Sequence, residues 1–378
     1  MWAMNDLERR VDDVLATALA EERIVGAIFL VRRAGKRVYG RAVGLADREG
    51  GRPMTVTTPH RLASLTKPVT AVAALALADR GRLSTDDPVT RWLPDFRPRL
   101  GAAAPPITIQ QLLTHTSGLG YTFNEPPGGP YHQARVSDGL EQPGLGIAEN
   151  LRRLASVPLR FAPGSAFEYS LSFDVLGAVL ERAADAPLDQ AIERYVTGPL
   201  GLGALSFSAT SGDGLAVPYA DGKPPQRIRA GVPVPVDAQV AVTFAPERAF
   251  DATSYPSGGA GMVGTADAFL GFLEAVRTRA VPTVSAARLD TMLRDQIPAL
   301  TAERLGPGWG YGYGVSVLRD PQAAESPLSR AAVRWGGAYG HSWWIDPASH
   351  TAAVLLTNTA FEGMIGALRS ELERAVHA

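Results

Sequence analysis

Arg61-Leu62-Ala63-Ser64-Leu65-Thr66-Lys67-Pro68-Val69-Thr70, running on into the apolar stretch 71–78, decides how the rest of the chain is read. Only 3 of the 37 basic residues are lysine, and Lys36 and Lys223 follow the turn sequences Ala34-Gly35 and Asp221-Gly222. Lys67 stands instead where an apolar helix begins. A lysine can give up its proton there and an arginine cannot. Pro68 fits only the first turn of a helix, so the pattern predicts a helix from near Ser64 to Arg80, closed by Gly81. Residues three apart share a helix face, which brings the Lys67 amine beside the Ser64 hydroxyl, and free N–H groups at the helix start can meet an oxyanion. The pair is a candidate nucleophile and base, because desolvation and the positive helix end both lower a lysine's pKa. An S-x-x-K pattern is short enough to arise by chance, so the weight falls on what accompanies it.

The composition admits a small-molecule enzyme and argues against several other classes. The 378 residues are 46% hydrophobic and 20% charged, an ordinary globular balance with room for a large core or two domains. A formal net charge of −1 with interspersed signs leaves no basic footprint for nucleic acid and no polybasic cluster for a membrane surface. With no cysteine, disulfides, thiol catalysis and cysteine metal sites are excluded. No H-E-x-x-H or His/carboxylate cluster appears among the six histidines, so no metal and no cofactor are expected. Residues 1–20 carry Asp6, Glu8, Arg9, Arg10, Asp12 and Asp13, which reads as an amphipathic helix of a cytoplasmic protein. No stretch is long enough to span a membrane.

Along the chain, β-rich runs at 24–32 and 37–44 flank Arg33-Ala34-Gly35-Lys36 and predict a hairpin. After the helix from Ser64, residues 83–259 break into short helical pieces at 109–113, 151–155, 175–184 and 188–196, an inserted and mostly helical domain. Helices at 266–277 and 286–294 lead into β-like runs at 309–318, 333–339, 342–346 and 352–357, and a closing helix at 360–376. The expected architecture is α/β (α+β): one sheet domain from 1–82 and 260–378, with terminal helices on one face and the active site facing the insertion. Gly306-Pro-Gly-Trp-Gly-Tyr-Gly-Tyr-Gly would put Trp309, Tyr311 and Tyr313 on one strand face; its spacing fits close backbone packing and no phosphate loop.

Two further stretches suggest a site. Tyr169, in Phe167-Glu-Tyr-Ser-Leu171 ahead of a helix, could project beside Lys67. Trp335-Gly336-Gly337-Ala338 places two glycines in a strand, as an edge lining a site would, although a bulge would also account for them.

Ser64-Leu-Thr-Lys67, then Tyr169-Ser-Leu171, then Trp335-Gly-Gly337 follow the order of motifs in the penicillin-recognising serine hydrolases. Leu112-Leu-Thr-His115-Thr-Ser-Gly118, Tyr255-Pro-Ser-Gly-Gly-Ala-Gly-Met262 and Leu355-Leu-Thr-Asn358 resemble landmark stretches of class C β-lactamase-like proteins. Nearly the whole chain is covered, and it is most similar to the family VIII carboxylesterases, whose third motif is Trp-Gly-Gly. The resemblance implies a β-lactamase/transpeptidase-like fold with a central antiparallel sheet built from both termini, and hydrolysis of short-chain esters through an acyl-enzyme. It makes Ser64 the nucleophile, Lys67 and Tyr169 the proton-handling pair, and the N–H groups of Ser64 and Ala338 the oxyanion hole. Substrate contacts are expected from Trp335, Gly336, Gly337, Tyr121, Leu171 and His341, the last with packing as an equal alternative. His115 is expected to fix a loop. Leu171 and Trp335 stand where a β-lactamase places an amide and a lysine, so a neutral ester is the better substrate. A weak β-lactamase or peptidase and an acyltransferase remain open on the same acyl-enzyme. A Ser-His-Asp hydrolase is disfavoured, because G-x-S-x-G is absent.

Overall fold

A computed structural model describes residues 6–209, 214–237 and 240–378. The N-terminal hairpin forms as its turn sequence demands: β1 (Gly26–Arg33) pairs antiparallel with β2 (Lys36–Asp47), and β3 (Arg52–Pro53) follows. The C-terminal third supplies β4 (Trp309–Tyr311), β5 (Ser316–Leu318), β6 (Val333–Gly337), β7 (His341–Asp346) and β8 (Thr351–Thr357). Together they make an eight-stranded sheet in the order β4-β5-β6-β7-β8-β1-β2-β3, with β8 against β1 joining the two ends of the chain.

Both faces of the sheet are covered, which is why β1 and β8 read as continuous apolar runs rather than alternating ones. Phe29, Val31, Trp344, Ala353 and Leu355 face α1 (Asp6–Ala20) and the C-terminal helix, whose stripes Val11-Leu15-Ala18 and Leu368-Leu372-Val376 are buried. The opposite face, with Ile28, Leu30, Trp343, Val354 and Leu356, belongs to one apolar cluster with α2 (Thr66–Asp79). Every residue of α2 except Asp79 is buried, so the helix is enclosed on all sides and central. The cluster continues to Phe173, Leu176 and Leu180 of α3 (Ser172–Ala184) and to Phe269 and Phe272 of α4 (Ala266–Arg277), the helix that packs directly on β1 and β8. Within 83–259, two small hairpins, Tyr219–Ala220 with Gln226–Arg227 and Pro233–Pro235 with Ala241–Thr243, accompany the helices. Among the described residues no helix is long and apolar enough to cross a membrane.

Three local expectations are corrected. Residues 309–318 are a hairpin and not one strand, since Gly314, at φ +75°, reverses the chain between β4 and β5. Trp309, Tyr311 and Tyr313 consequently enter three different apolar clusters. The closing helix is broken at Gly366 into Glu362–Ile365 and α5 (Ala367–His377). The strand carrying Trp335-Gly-Gly is interior to the sheet, yet β5 pairs only with Val333 and Arg334. Trp335, Gly336 and Gly337 therefore have β7 on one side and an open edge on the other. That edge closes on the start of α2: a Cβ at Gly337 would lie 2.7 Å from Leu62 O.

The β6–β7 turn is fixed as tightly. Gly340 has φ +99°, and a Cβ there would meet Thr359 O at 1.9 Å and Thr357 Oγ1 at 2.3 Å. Thr359 O is backbone, and Thr357 Oγ1 is held by its hydrogen bonds to Gly340 O and Thr359 O, so neither yields easily. Gly340→Ala is expected to cost about 3 kcal/mol or more, read as a fall in denaturation midpoint at unchanged slope. An unaltered midpoint would mean that the turn relaxes freely.

Candidate active site

Ser64 lies in a 3₁₀ turn, Ala63–Leu65, that runs directly into α2. Ala63 ahead of it is buried with φ +47°, a left-handed conformation unusual for alanine, held by the β6 tip and by Thr66 Oγ1 donating 2.7 Å to Ala63 O. One helical step on, Lys67 is fully buried, and its Nζ donates to Ser64 Oγ at 3.1 Å and to Gly259 O at 2.8 Å. Nζ lies 4.6 Å from the Tyr169 ring centre and 5.6 Å from that of Tyr121. Gly258 and Gly259 admit this packing: a Cβ at Gly258 would be 2.5 Å from Phe173 O.

Tyr169 Oη donates 2.6 Å to Ser64 Oγ across 105 residues of sequence. Its loop is pinned on several sides. Asn124 Nδ2 donates to Tyr169 O at 2.8 Å, Leu171 N to Gly120 O at 3.1 Å, and Ser170 N to His115 Nδ1 at 3.2 Å. His115 is thus an acceptor at Nδ1, buried against the Tyr169 ring at 4.8 Å, and burial together with Lys67 pushes its pKa well below the usual histidine value. It fixes the tyrosine loop as a neutral ring.

A cavity of about 380 Å³ opens over Ser64, within the size range of small-ligand sites. Tyr121, Tyr169, Trp335, Gly336 and Ala338 line it. Trp335 packs against Tyr169 and Tyr311 at ring separations of 5.3 and 5.2 Å, an aromatic wall. Three expected contacts fall outside. Leu171 is fully buried in the core, where it leads into α3. His341 is fully buried behind β6, its Nε2 at 2.8 Å from Arg61 O and its ring edge-on to His60, and burial lowers its pKa to about 4. Gly337 is spent on the close approach to Leu62. Strand alternation accounts for this, because Gly336 and Gly337 point to opposite faces.

The sequence reading missed Asp174, Asn124, Phe123 and Arg304. Asp174, in the first turn of α3, is buried, and neither carboxylate oxygen has a hydrogen-bond partner of normal geometry. A Cβ at Gly259 would be 2.6 Å from its Oδ2 and 3.5 Å from Lys67 Nζ, which locates the carboxylate beside the lysine. Burial pushes its pKa up to about 6, against the pull of the Ser257 hydroxyl and Lys67. The folded state therefore holds this proton more tightly than the unfolded chain, whose Asp titrates near ~3.9. The advantage is complete below about pH 4 and is lost as pH rises to about 6, leaving roughly 2–3 kcal/mol of instability above that. Asp174→Asn is accordingly expected to gain stability relative to wild type by about 2 kcal/mol more at pH 8 than at pH 4, in urea unfolding at both pH values. A gain independent of pH would show a carboxylate that is satisfied when ionised.

The Ser64–Lys67–Tyr169 geometry coincides with a sequence relationship. The Beta-lactamase family model matches residues 11–378. The chain belongs to the beta-lactamase family. Within this family it is 51% identical over 378 residues to Esterase EstB of Burkholderia gladioli, covering 98% of the chain and 95% of that esterase. In structure, EstCE1, described as a hydrolase with promiscuous acyltransferase activity, superposes with TM-score 0.95 at 44% identity, covering 99% of both chains. The unliganded simvastatin synthase LovD of Aspergillus terreus superposes with TM-score 0.77 at 21% identity, over 99% of both chains, and shares the fold.

Proposed function

We propose that the protein hydrolyses short-chain carboxylic esters through an acyl-enzyme on Ser64. It is a serine ester hydrolase on the β-lactamase-like fold. The observation that carries this reading is the pair of hydrogen bonds on Ser64 Oγ, from Tyr169 Oη at 2.6 Å and Lys67 Nζ at 3.1 Å, at the floor of a cavity with an aromatic wall. Attack of Oγ on the ester carbonyl passes its proton to the Tyr169–Lys67 pair, which returns a proton to the departing alcohol. The N–H groups of Ser64 and Ala338 receive the oxyanion. Water then cleaves the acyl-enzyme with the same pair as base. Trp335 offers the substrate an apolar face where a lysine would attract a β-lactam carboxylate.

A panel of aryl acetates, butyrates and octanoates beside a chromogenic cephalosporin tests the reading. The short esters are expected to exceed the cephalosporin about ten- to a hundredfold in kcat/KM, the worth of the charged contact that position 335, with Trp in place of Lys, does not offer the β-lactam carboxylate beside Ser64. Faster opening of the cephalosporin overturns it. Acyl transfer is a second reading, supported by the promiscuous acyltransferase activity of EstCE1 and by the apolar wall, which can hold an alcohol in place of water. It is expected to give ester product when a primary alcohol is added to an aryl butyrate, and free butyrate alone would refute it.

A further inference from the structure

We propose that Arg304 makes this cavity a site for esters carrying a carboxylate, which ion-pairs with the guanidinium at the mouth. The proposal rests on the ester hydrolysis above and names its substrate class. Arg304 lies in the 3₁₀ turn Glu303–Leu305 and lines the same cavity as Ser64, Tyr169 and Trp335. Its position is fixed. Nη1 donates to Asn124 Oδ1, and the guanidinium lies 5.7 Å from the centre of the Phe123 ring. The other arm of Asn124, Nδ2, donates 2.8 Å to Tyr169 O. One side chain thus ties the cation to the backbone of the tyrosine that bonds Ser64 Oγ, so charge and nucleophile keep a set relation.

The charge is not spent within the fold. Among the described residues no carboxylate comes within 4.0 Å of Arg304. Of the nearby acids, Glu168 pairs with Arg160 at 2.8 Å, and Asp237, which lines the cavity and accepts from Val240 N at 2.9 Å, acts on Arg304 only at longer range. Desolvation outweighs their longer-range pull and lowers the Arg304 pKa from its ordinary value. Arg334 and Arg369 also line the cavity, but both are directed at Glu373. Asp138, an acid in the cavity wall, does not oppose an incoming anion. It accepts from Thr122 N and Thr122 Oγ1, and burial with the neighbouring Glu141 raises its pKa well above the usual carboxylate range. A guanidinium has five N–H donors in a planar fork that matches a carboxylate, and the Asn124 bond leaves most of that fork for a ligand.

The test compares kcat/KM for a neutral ester, 4-nitrophenyl butyrate, with two charged ones. Mono-(4-nitrophenyl) glutarate carries its carboxylate on the acyl part, and 4-carboxyphenyl butyrate carries it on the alcohol part. In Arg304→Gln the ratio of one charged ester to the neutral ester is expected to fall about ten- to a hundredfold, mainly through KM. The ester whose ratio falls tells which part faces the guanidinium. Arg304→Glu should lower it further, Arg304→Lys should restore part of it, and high salt should shrink the wild-type preference. Any slackening of Asn124 and Tyr169 in these variants affects all three esters alike and cancels in the ratio. Ratios that stay within twofold of wild type in both Arg304→Gln and Arg304→Glu, with thermal unfolding showing folded proteins, overturn the proposal. Failure of the wild type to turn over any of the three esters refutes the ester hydrolysis itself, which is a separate outcome.

Discussion

Ser64→Ala is expected to lower ester turnover by on the order of 10⁴ or more, because the variant retains the cavity and oxyanion donors but has no atom to acylate. The geometry makes the demand specific. Ser64 Oγ receives both the Tyr169 and the Lys67 hydrogen bonds, at 2.6 and 3.1 Å, and opens into the cavity. Ser117, Ser170 and Ser172, by contrast, are buried and hydrogen-bond one another or His115. A fluorophosphonate probe should therefore add one mass equivalent, mapped to Ser64, and none in Ser64→Ala. Labelling of another residue, or a variant with turnover near wild type, removes Ser64 from its assigned role.

Lys67→Arg should be nearly as damaging as Lys67→Ala, with a loss of about 10²–10⁴ in kcat/KM. A guanidinium keeps the positive charge but cannot release a proton, and it is planar and bulkier than an ammonium group. Lys67 has no spare room: it is fully buried, with Nζ held by Ser64 Oγ and Gly259 O and the Tyr169 ring 4.6 Å away. Replacing it by Ala opens a void in the centre of the molecule, so unfolding midpoints must accompany the rates. An Arg variant that is folded and keeps more than about a tenth of wild-type activity would show that Lys67 supplies charge and not proton transfer.

The helix carrying Ser64 and Lys67 was legible because the relation between them is local. Three residues on one helix face meet whatever the rest of the chain does, and Pro68 and Gly81 mark the ends of that helix. The β1–β2 hairpin was legible for the same reason, through the turn at Ala34-Gly35. The order of the three motifs carried the family and, with it, the sheet assembled from both termini. Strand alternation was legible in principle at Gly336-Gly337, since only one of the two can face the cavity, but which one depends on β7 and Leu62.

Contacts between distant segments were decided only by the tertiary structure, because no local pattern encodes which side of a packed loop faces solvent. Leu171 and His341 lie beside site motifs in sequence, yet α3 draws Leu171 into the core and β7 turns His341 behind β6 toward Arg61. Asp174 and Arg304 carry no motif at all. One reaches Lys67 because α3 follows the Tyr169 loop directly, and the other reaches the cavity because Asn124, 180 residues earlier, accepts its guanidinium. The sequence by itself determined the helix carrying Ser64 and Lys67 through short-range geometry, and the order of its motifs carried the class of chemistry. The lining of the cavity and the charge at its mouth were set by where the long-range packing of the sheet, α2 and the intervening loops leaves space.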